Sequence, residues 1–226
     1  MHRQNKLSRR SLVQSLAFLP AATAAFQNPL PPDKSREFWN KIYAEEDSRV
    51  TDFPNRFLAE VVQGVKPGQA LDIGMGQGRN TLFLARRGWD VTGVDIADKG
   101  IEMAKKAAAR RNLKFNGVAS DFAVFEVGKQ RWDLLVGVYM GDLITSLAAR
   151  LVEGLRPGGL LVVENFHRDI NVKAITGGTL GYAVNALLEA FVPSLRIVRY
   201  EEVLDFADWG SRVEKVPLVR LLARKG

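Results

Sequence analysis

The chain has 226 residues, a formal net charge of +7, 46% hydrophobic and 25% charged residues, no cysteine and two histidines. That is enough for one domain with a short extension and a sizeable core, and the lack of cysteine excludes disulfides, thiolate nucleophiles and zinc–thiolate sites. A multi-histidine metal site or a Ser-His-Asp triad would have to rest on His167 alone, because His2 lies in a terminal segment of different character, so no metal is expected.

Four of the positive charges, Arg3, Lys6, Arg9 and Arg10, fall within residues 1–24, which hold no acid, leaving +3 for the rest. A nucleic-acid reader shows a stronger basic stripe. Residues 1–26 have a basic start, an apolar run over Leu12 to Leu19 and a small-residue stretch ending in Ala22-Thr23-Ala24, the three-part layout of a signal peptide. Ser8-Arg9-Arg10-Ser11-Leu12 resembles the twin-arginine export signature, with Leu12 where Phe is commoner. Export is the expectation, and a cytoplasmic protein with a frayed amphipathic terminus is the alternative. The apolar run is too short and interrupted to persist as a membrane span in the mature chain. Asn28-Pro29-Leu30-Pro31-Pro32 reads as a stiff linker. The expected division is 1–32 signal peptide and linker, then 33–226 as one domain.

From Asp33 the pattern alternates. Phe38, Ile42 and Tyr43 suggest a first amphipathic helix, and Phe57, Leu58, Val61 and Val62 a second, ended by Lys66-Pro67-Gly68. Ala70–Ile73 is a short apolar strand, Thr81–Arg87 a helix stopped by Gly88, and Val91–Asp95 a second strand. Asp98 can cap a helix running through Arg111. Lys114–Ala119 and the almost wholly apolar Asp133–Val138 are the third and fourth strands. Leu143, Leu147, Leu151 and Leu155 mark one helix, broken by Arg156-Pro157-Gly158-Gly159 before a fifth strand, Leu160–Glu164. Tyr182–Phe191 reads as helix, and Leu195–Tyr200 and Val213–Ala223 as two late strands with no long helix between them. The expected fold is α/β: a Rossmann-like doubly wound, mostly parallel seven-stranded sheet with an antiparallel C-terminal strand pair, and ligands at the strand-end loops.

Leu71-Asp72-Ile73-Gly74-Met75-Gly76-Gln77-Gly78-Arg79-Asn80 carries the most information. Its glycines are spaced G-x-G-x-G, whereas the dinucleotide fingerprint G-x-G-x-x-G would need glycine where Arg79 stands. Such glycines turn the backbone with positive φ and leave no Cβ between chain and ligand, so a nucleoside with an amino-acid tail can lie against them. Asp95 ends the second strand about twenty residues on, where a carboxylate can accept both ribose hydroxyls. Asp121-Phe122 follows the third strand, where a carboxylate can accept from an adenine amino group and the ring can pack against the base.

This stretch resembles class I S-adenosylmethionine-dependent methyltransferases, most of all the tellurite-resistance and thiopurine-like group, which has a similar Leu-Asp-x-Gly-x-Gly-x-Gly-Arg-Asn run. Element order extends the resemblance over roughly residues 36–226. Phe38-Trp39 with Tyr43, Phe53–Phe57, Leu155–Leu160 and Leu221–Lys225 resemble further segments of that group. Met75 stands where the group often has Cys. The resemblance implies S-adenosylmethionine as cofactor. It implies a cofactor site of Asp72, Gly74, Gly76, Gly78, Arg79, Asp95, Ile96, Asp121 and Phe122, with the three glycines on the methionine part, Asp95 on the ribose, and Asp121 with Phe122 on the adenine.

Methyl transfer from a sulfonium is an in-line displacement, so the protein mainly holds nucleophile and methyl about 3 Å apart. A base is needed only where the acceptor must lose a proton. Tyr139, Asp142, Glu164, Asn165 and His167 lie near the fourth and fifth strand ends, and His167 and Tyr139 are taken as the catalytic candidates. Trp39, Tyr43, Phe53 and Trp209 can wall an acceptor pocket or face the cation, or simply pack. A small-molecule acceptor is expected. Amino-methylating enzymes of nucleic acids carry an Asp/Asn-Pro-Pro-aromatic run after the fourth strand, where this chain has Tyr139-Met140-Gly141-Asp142, so no nucleic-acid partner is expected. A non-catalytic S-adenosylmethionine-binding protein is the alternative, and a nicotinamide oxidoreductase the more distant one.

Overall fold

A computed structural model describes residues 31–44, 53–168, 181–208 and 215–226. The export signature, most of the linker, Trp209 and the start of the last strand lie outside the described residues. In chain order the elements are α1 (Pro32–Ala44), α2 (Arg56–Val61), β1 (Gln69–Ile73), α3 (Arg79–Arg86), β2 (Asp90–Asp95), α4 (Asp98–Arg110), β3 (Asn116–Ala119) and β4 (Trp132–Val138). There follow α5 (Leu143–Ser146), α6 (Ala148–Gly154), β5 (Leu155–Phe166), α7 (Ala186–Phe191), β6 (Arg196–Phe206) and β7 (Lys215–Arg224).

The seven strands form one sheet in the order β3-β2-β1-β4-β5-β7-β6. The first five pair in parallel, and β7 runs against both β5 and β6. Alternate residues serve two cores, as the pleat requires. Leu71, Ile73, Leu135, Leu161 and Val163 face Ile144, Leu151, Leu187 and Phe191 on one side. Ala70, Leu134, Val136, Leu160 and Val162 face Phe57, Leu58 and Leu84 on the other. Helices therefore cover both faces, which is why β4 is apolar along its length. The chain reverses direction in the strand order between β1 and β4, and in such sheets the crevice at that reversal takes the ligand.

Three elements differ from their sequence reading. The leucines from Leu143 to Leu155 do not form one helix: the chain breaks at Leu147 into α5 and α6, and Leu155 opens β5 opposite Trp132. Arg156 to Gly159 is drawn into β5, where Gly158 and Gly159 exchange hydrogen bonds with Lys225. Only Ala186–Phe191 of the stretch from Tyr182 is helical, because Tyr182 pairs with His167 in a short β-bridge. The N-cap of α4 is Ala97 rather than Asp98. Its first turn is served from outside, by Asn40 Oδ1 of α1 accepting the Lys99 N–H at 3.0 Å.

Candidate active site

The glycine turn follows β1 at the crevice. Gly74, Gly76 and Gly78 have φ of +71°, +54° and +86°, a region closed to most side chains. Gly74 and Met75 donate to the Val94 carbonyl, tying the turn to β2. A Cβ on Gly76 would lie 2.5 Å from the Tyr43 hydroxyl, and one on Gly74 would collide with the Met140 sulfur. A Cβ on Gly78 would lie 2.7 Å from the Ala104 Cβ, so this glycine also lets α3 and α4 approach. Met75 is turned away, buried with Ile101 and Ala104.

Asp95 ends β2 beside this turn. One carboxylate oxygen accepts the Gly76 N–H at 2.7 Å and the other accepts the Ala97 N–H at 2.8 Å. Burial pushes its pKa above the ordinary value, opposed by these backbone donors and that of Ile96. Each carboxylate oxygen has a second lone pair to offer a vicinal diol. Ile96, half-buried, follows. The donor set suits a nucleoside on Asp95 with a tail running along the glycines.

Asp72, on β1, is 1% exposed and accepts the Thr81 hydroxyl at 2.6 Å. Burial, the dominant cause, raises its pKa to about 6 against these hydrogen bonds and nearby Arg79. An acid whose folded pKa is raised binds more protons folded than unfolded between the two values. Its contribution therefore favours the fold at low pH and is lost as pH rises from about 4 to about 6. At about 1.4 kcal/mol per unit the swing approaches about 3 kcal/mol. Asp72→Asn keeps an acceptor for Thr81 and removes the titration. The stability difference between wild type and variant, from urea melts at pH 4 to 8, should fall through that window and be flat above it. A difference independent of pH would contradict the account.

Arg79 opens α3 and donates to the Asp208 carbonyl at 3.0 Å, its guanidinium 5.8 Å from the Tyr139 ring centre. The pair after β3 divides. Asp121 is half-buried at the strand end and accepts the Ala123 N–H at 2.9 Å. Phe122 is 4% exposed and stacks on Phe125 in the core, so its ring packs the protein interior rather than lining the crevice. Of the aromatic candidates, Tyr43 lies against the glycine turn with Trp39 stacked on it, while Phe53 is exposed.

Tyr139 sits just beyond β4 with φ +58°. Its hydroxyl donates to Glu164 Oε1 at 2.8 Å and accepts the Asp208 N–H at 3.0 Å. Burial, then the Glu164 charge, holds its pKa well above the usual value. With its hydroxyl engaged on both sides, Tyr139 ties β4 to β5 and to the segment at Asp208. Glu164 belongs to the same sealed network: Asn55 Nδ2 donates to it at 2.6 Å and Arg220 Nε at 2.6 Å. Asn55 also caps α2 and donates to Asp208, which further accepts from the Arg56 N–H. Sequence reasoning missed Asn55, Asp208 and Arg220. Only Asn55, a capping residue before an apolar run, left a signal.

His167 follows β5 and is 3% exposed, with Nε2 3.6 Å from Glu202 Oε2. Its N–H donates to the Pro217 carbonyl. Asn165, two residues earlier, is equally buried. Among the described residues no cluster of three His, Asp or Glu is placed to hold a metal ion, and no helix is long and apolar enough to cross a membrane.

The family model described as tellurite resistance protein TehB matches residues 35–203. The ubiquinone biosynthesis O-methyltransferase of Coxiella burnetii (strain RSA 331 / Henzerling II) is 25% identical over 183 residues, covering 79% of this chain and 78% of that protein. The crystal structure of TehB from Haemophilus influenzae superposes with a TM-score of 0.62 at 20% identity, covering 84% of this chain and 67% of that one. A SAM-dependent methyltransferase from Methanosarcina mazei superposes with a TM-score of 0.58 at 20% identity, covering 74% and 96%. The chain is a methyltransferase. It belongs to the tellurite resistance protein TehB family.

Proposed function

We propose that this chain methylates a small-molecule acceptor by in-line displacement at the crevice between β1 and β4. The observation that carries this reading is the hydrogen bond from Gly76 to Asp95, which joins a glycine turn to a carboxylate suited to a ribose. In this reading the turn at Gly74, Gly76 and Gly78 takes the methionine part, Asp95 and Ile96 the ribose, and Asp121 the adenine amino group. Asp72 and Arg79 shape the turn from below and beside it. The cofactor supplies an activated methyl group whose leaving group is a neutral thioether. Tyr43 and Met140, against Gly76 and Gly74, narrow the space above the turn and exclude water from it. His167 is the proton acceptor where the acceptor must lose a proton. A deuterated-methyl transfer assay against a mixed panel of oxyanion, thiol, amine, carboxylate and hydroxyl acceptors, read by mass spectrometry, tests the reading. A product three mass units heavier than its unlabelled counterpart is expected. No labelled product from any class, with cofactor bound, would favour a non-catalytic binding protein.

Residues 1–26 act as a twin-arginine signal in this proposal. That route carries folded proteins, so cofactor made inside cells can travel bound, although one equivalent supports one turnover. A reporter joined after Pro32 should be exported, and Arg9→Lys with Arg10→Lys should block it. A reporter retained in the cytoplasm with the wild-type segment would contradict the proposal.

A further inference from the structure

The glycine turn has room for an amino-acid tail, but its own amides are engaged. The Gly74 and Met75 N–H groups go to the Val94 carbonyl, that of Gly78 to the Met75 carbonyl, and that of Gly76 to Asp95. Asp72 on β1 and Asp95 on β2 flank the turn, and both are buried acids. An amino acid brings an ammonium and a carboxylate to this place. The ammonium suits the two acids. The carboxylate is repelled by them, and a charge that leaves water without a partner is strongly disfavoured. The site therefore needs a cation and donors of its own for the carboxylate.

Arg79 supplies the cation. It opens α3 directly after the turn, is half-buried, and its charge acts on the Asp72 carboxyl. Among the described residues it forms no ion pair: Nη1 donates to the Asp208 carbonyl at 3.0 Å, and the guanidinium lies 5.8 Å from the Tyr139 ring centre. A guanidinium has five N–H donors in a planar fork, the shape that takes a carboxylate through two parallel bonds. Asp208 and Tyr139 belong to the network around Glu164, so the fork is anchored before a ligand arrives. An anchored group loses little freedom on binding.

Tyr43 supplies a further donor. Its hydroxyl lies against Gly76, where a Cβ would come within 2.5 Å of it, and Trp39 stacks on its ring. Among the described residues that hydroxyl makes no hydrogen bond. The charges of Asp95 and Arg79 both act on it, which places it between the ribose end of the crevice and the guanidinium. Burial, then the Asp95 charge, raises its pKa above the ordinary value, so it keeps its proton and stays a donor. It is brought there by α1, which packs against α4.

We propose that Arg79 and Tyr43 form a clamp for the α-carboxylate of the cofactor's methionine part, Arg79 through its fork and Tyr43 through one further hydrogen bond. The proposal rests on the methyl-transfer reading above and adds to it the groups that recognise the amino-acid end. The clamp makes the carboxylate a condition of tight binding, so the site selects S-adenosyl compounds with an intact amino acid. It also fixes the tail at its far end, and with it the direction in which the sulfur presents its methyl group.

Isothermal titration of the full chain with S-adenosylhomocysteine and with decarboxylated S-adenosylhomocysteine tests the clamp. Wild type should bind the first about tenfold or more tightly than the second. Arg79→Gln should weaken S-adenosylhomocysteine about ten- to a hundredfold and leave the decarboxylated compound within about twofold, so that the preference disappears. Arg79→Lys keeps the charge without the fork and should fall between. Tyr43→Phe keeps the ring on Trp39 and should lose about three- to tenfold, for S-adenosylhomocysteine alone. Equal losses for both compounds in Arg79→Gln would make Arg79 a part of the turn's structure and overturn the proposal. Equal affinity of wild type for the two compounds would overturn it without any variant. If wild type binds neither compound, the methyl-transfer reading falls and the clamp with it, whereas binding of both without preference removes the clamp alone.

Discussion

Glu164→Ala should cost about 3–5 kcal/mol of stability, the loss typical of breaking a buried ion pair from one side. Glu164 is fully buried, and its two oxygens accept from Asn55, Tyr139 and Arg220. Removing it leaves the Arg220 guanidinium, 8% exposed, with Asp205 at 2.9 Å and Glu201 at 3.7 Å as its carboxylate partners among the described residues. It also leaves an Asn55 donor and the Tyr139 hydroxyl without their acceptor. Domains of this size hold about 5–15 kcal/mol in total, so the variant should be marginally folded. Glu164→Gln retains one acceptor oxygen and should lose less. Urea denaturation of both variants measures the difference. A change within about 0.5 kcal/mol for Glu164→Ala would show that the network is relaxed in solution.

Asp95→Ala should weaken S-adenosylhomocysteine binding by about ten- to a hundredfold. Hydrogen bonds to a charged group contribute about 1.5–3 kcal/mol, and each 1.4 kcal/mol is tenfold. The carboxylate also accepts from Gly76 and Ala97, so part of the loss comes through a looser turn. A modest fall in Tm should accompany it, which separates this variant from a surface change. Asp98→Ala is the control: Asp98 is half-exposed and paired with Arg36 at 3.5 Å, so affinity should hardly move. Equal affinity in wild type and Asp95→Ala, with both folded, would place the ribose elsewhere.

The sheet was legible where burial on both faces leaves an unbroken apolar run, as in Asp133–Val138 and Leu160–Glu164. The turn at Gly74–Gly78 was legible because its spacing serves a backbone requirement that few residues meet. The break at Leu147 was not, since the four-residue spacing of the leucines continues through it while tertiary packing assigns Leu155 to the sheet. Phe122 reads as a ligand ring or a core ring equally well from its place after β3, and only its stacking on Phe125 decides. The network around Glu164 joins Asn55 to residues 109 and 153 positions away, so no local pattern could reveal it. The same long-range pairing hid the Glu202 partner of His167, although His167 itself stood out as one of two histidines.

The central claim is that the crevice at Gly74–Gly78 and Asp95 holds S-adenosylmethionine. Isothermal titration of the purified chain with S-adenosylmethionine, S-adenosylhomocysteine and NADH tests it most directly. The account predicts saturable one-to-one binding of the first two, a rise in Tm with each, and no heat with NADH. Binding of NADH with no response to either sulfur compound would contradict it.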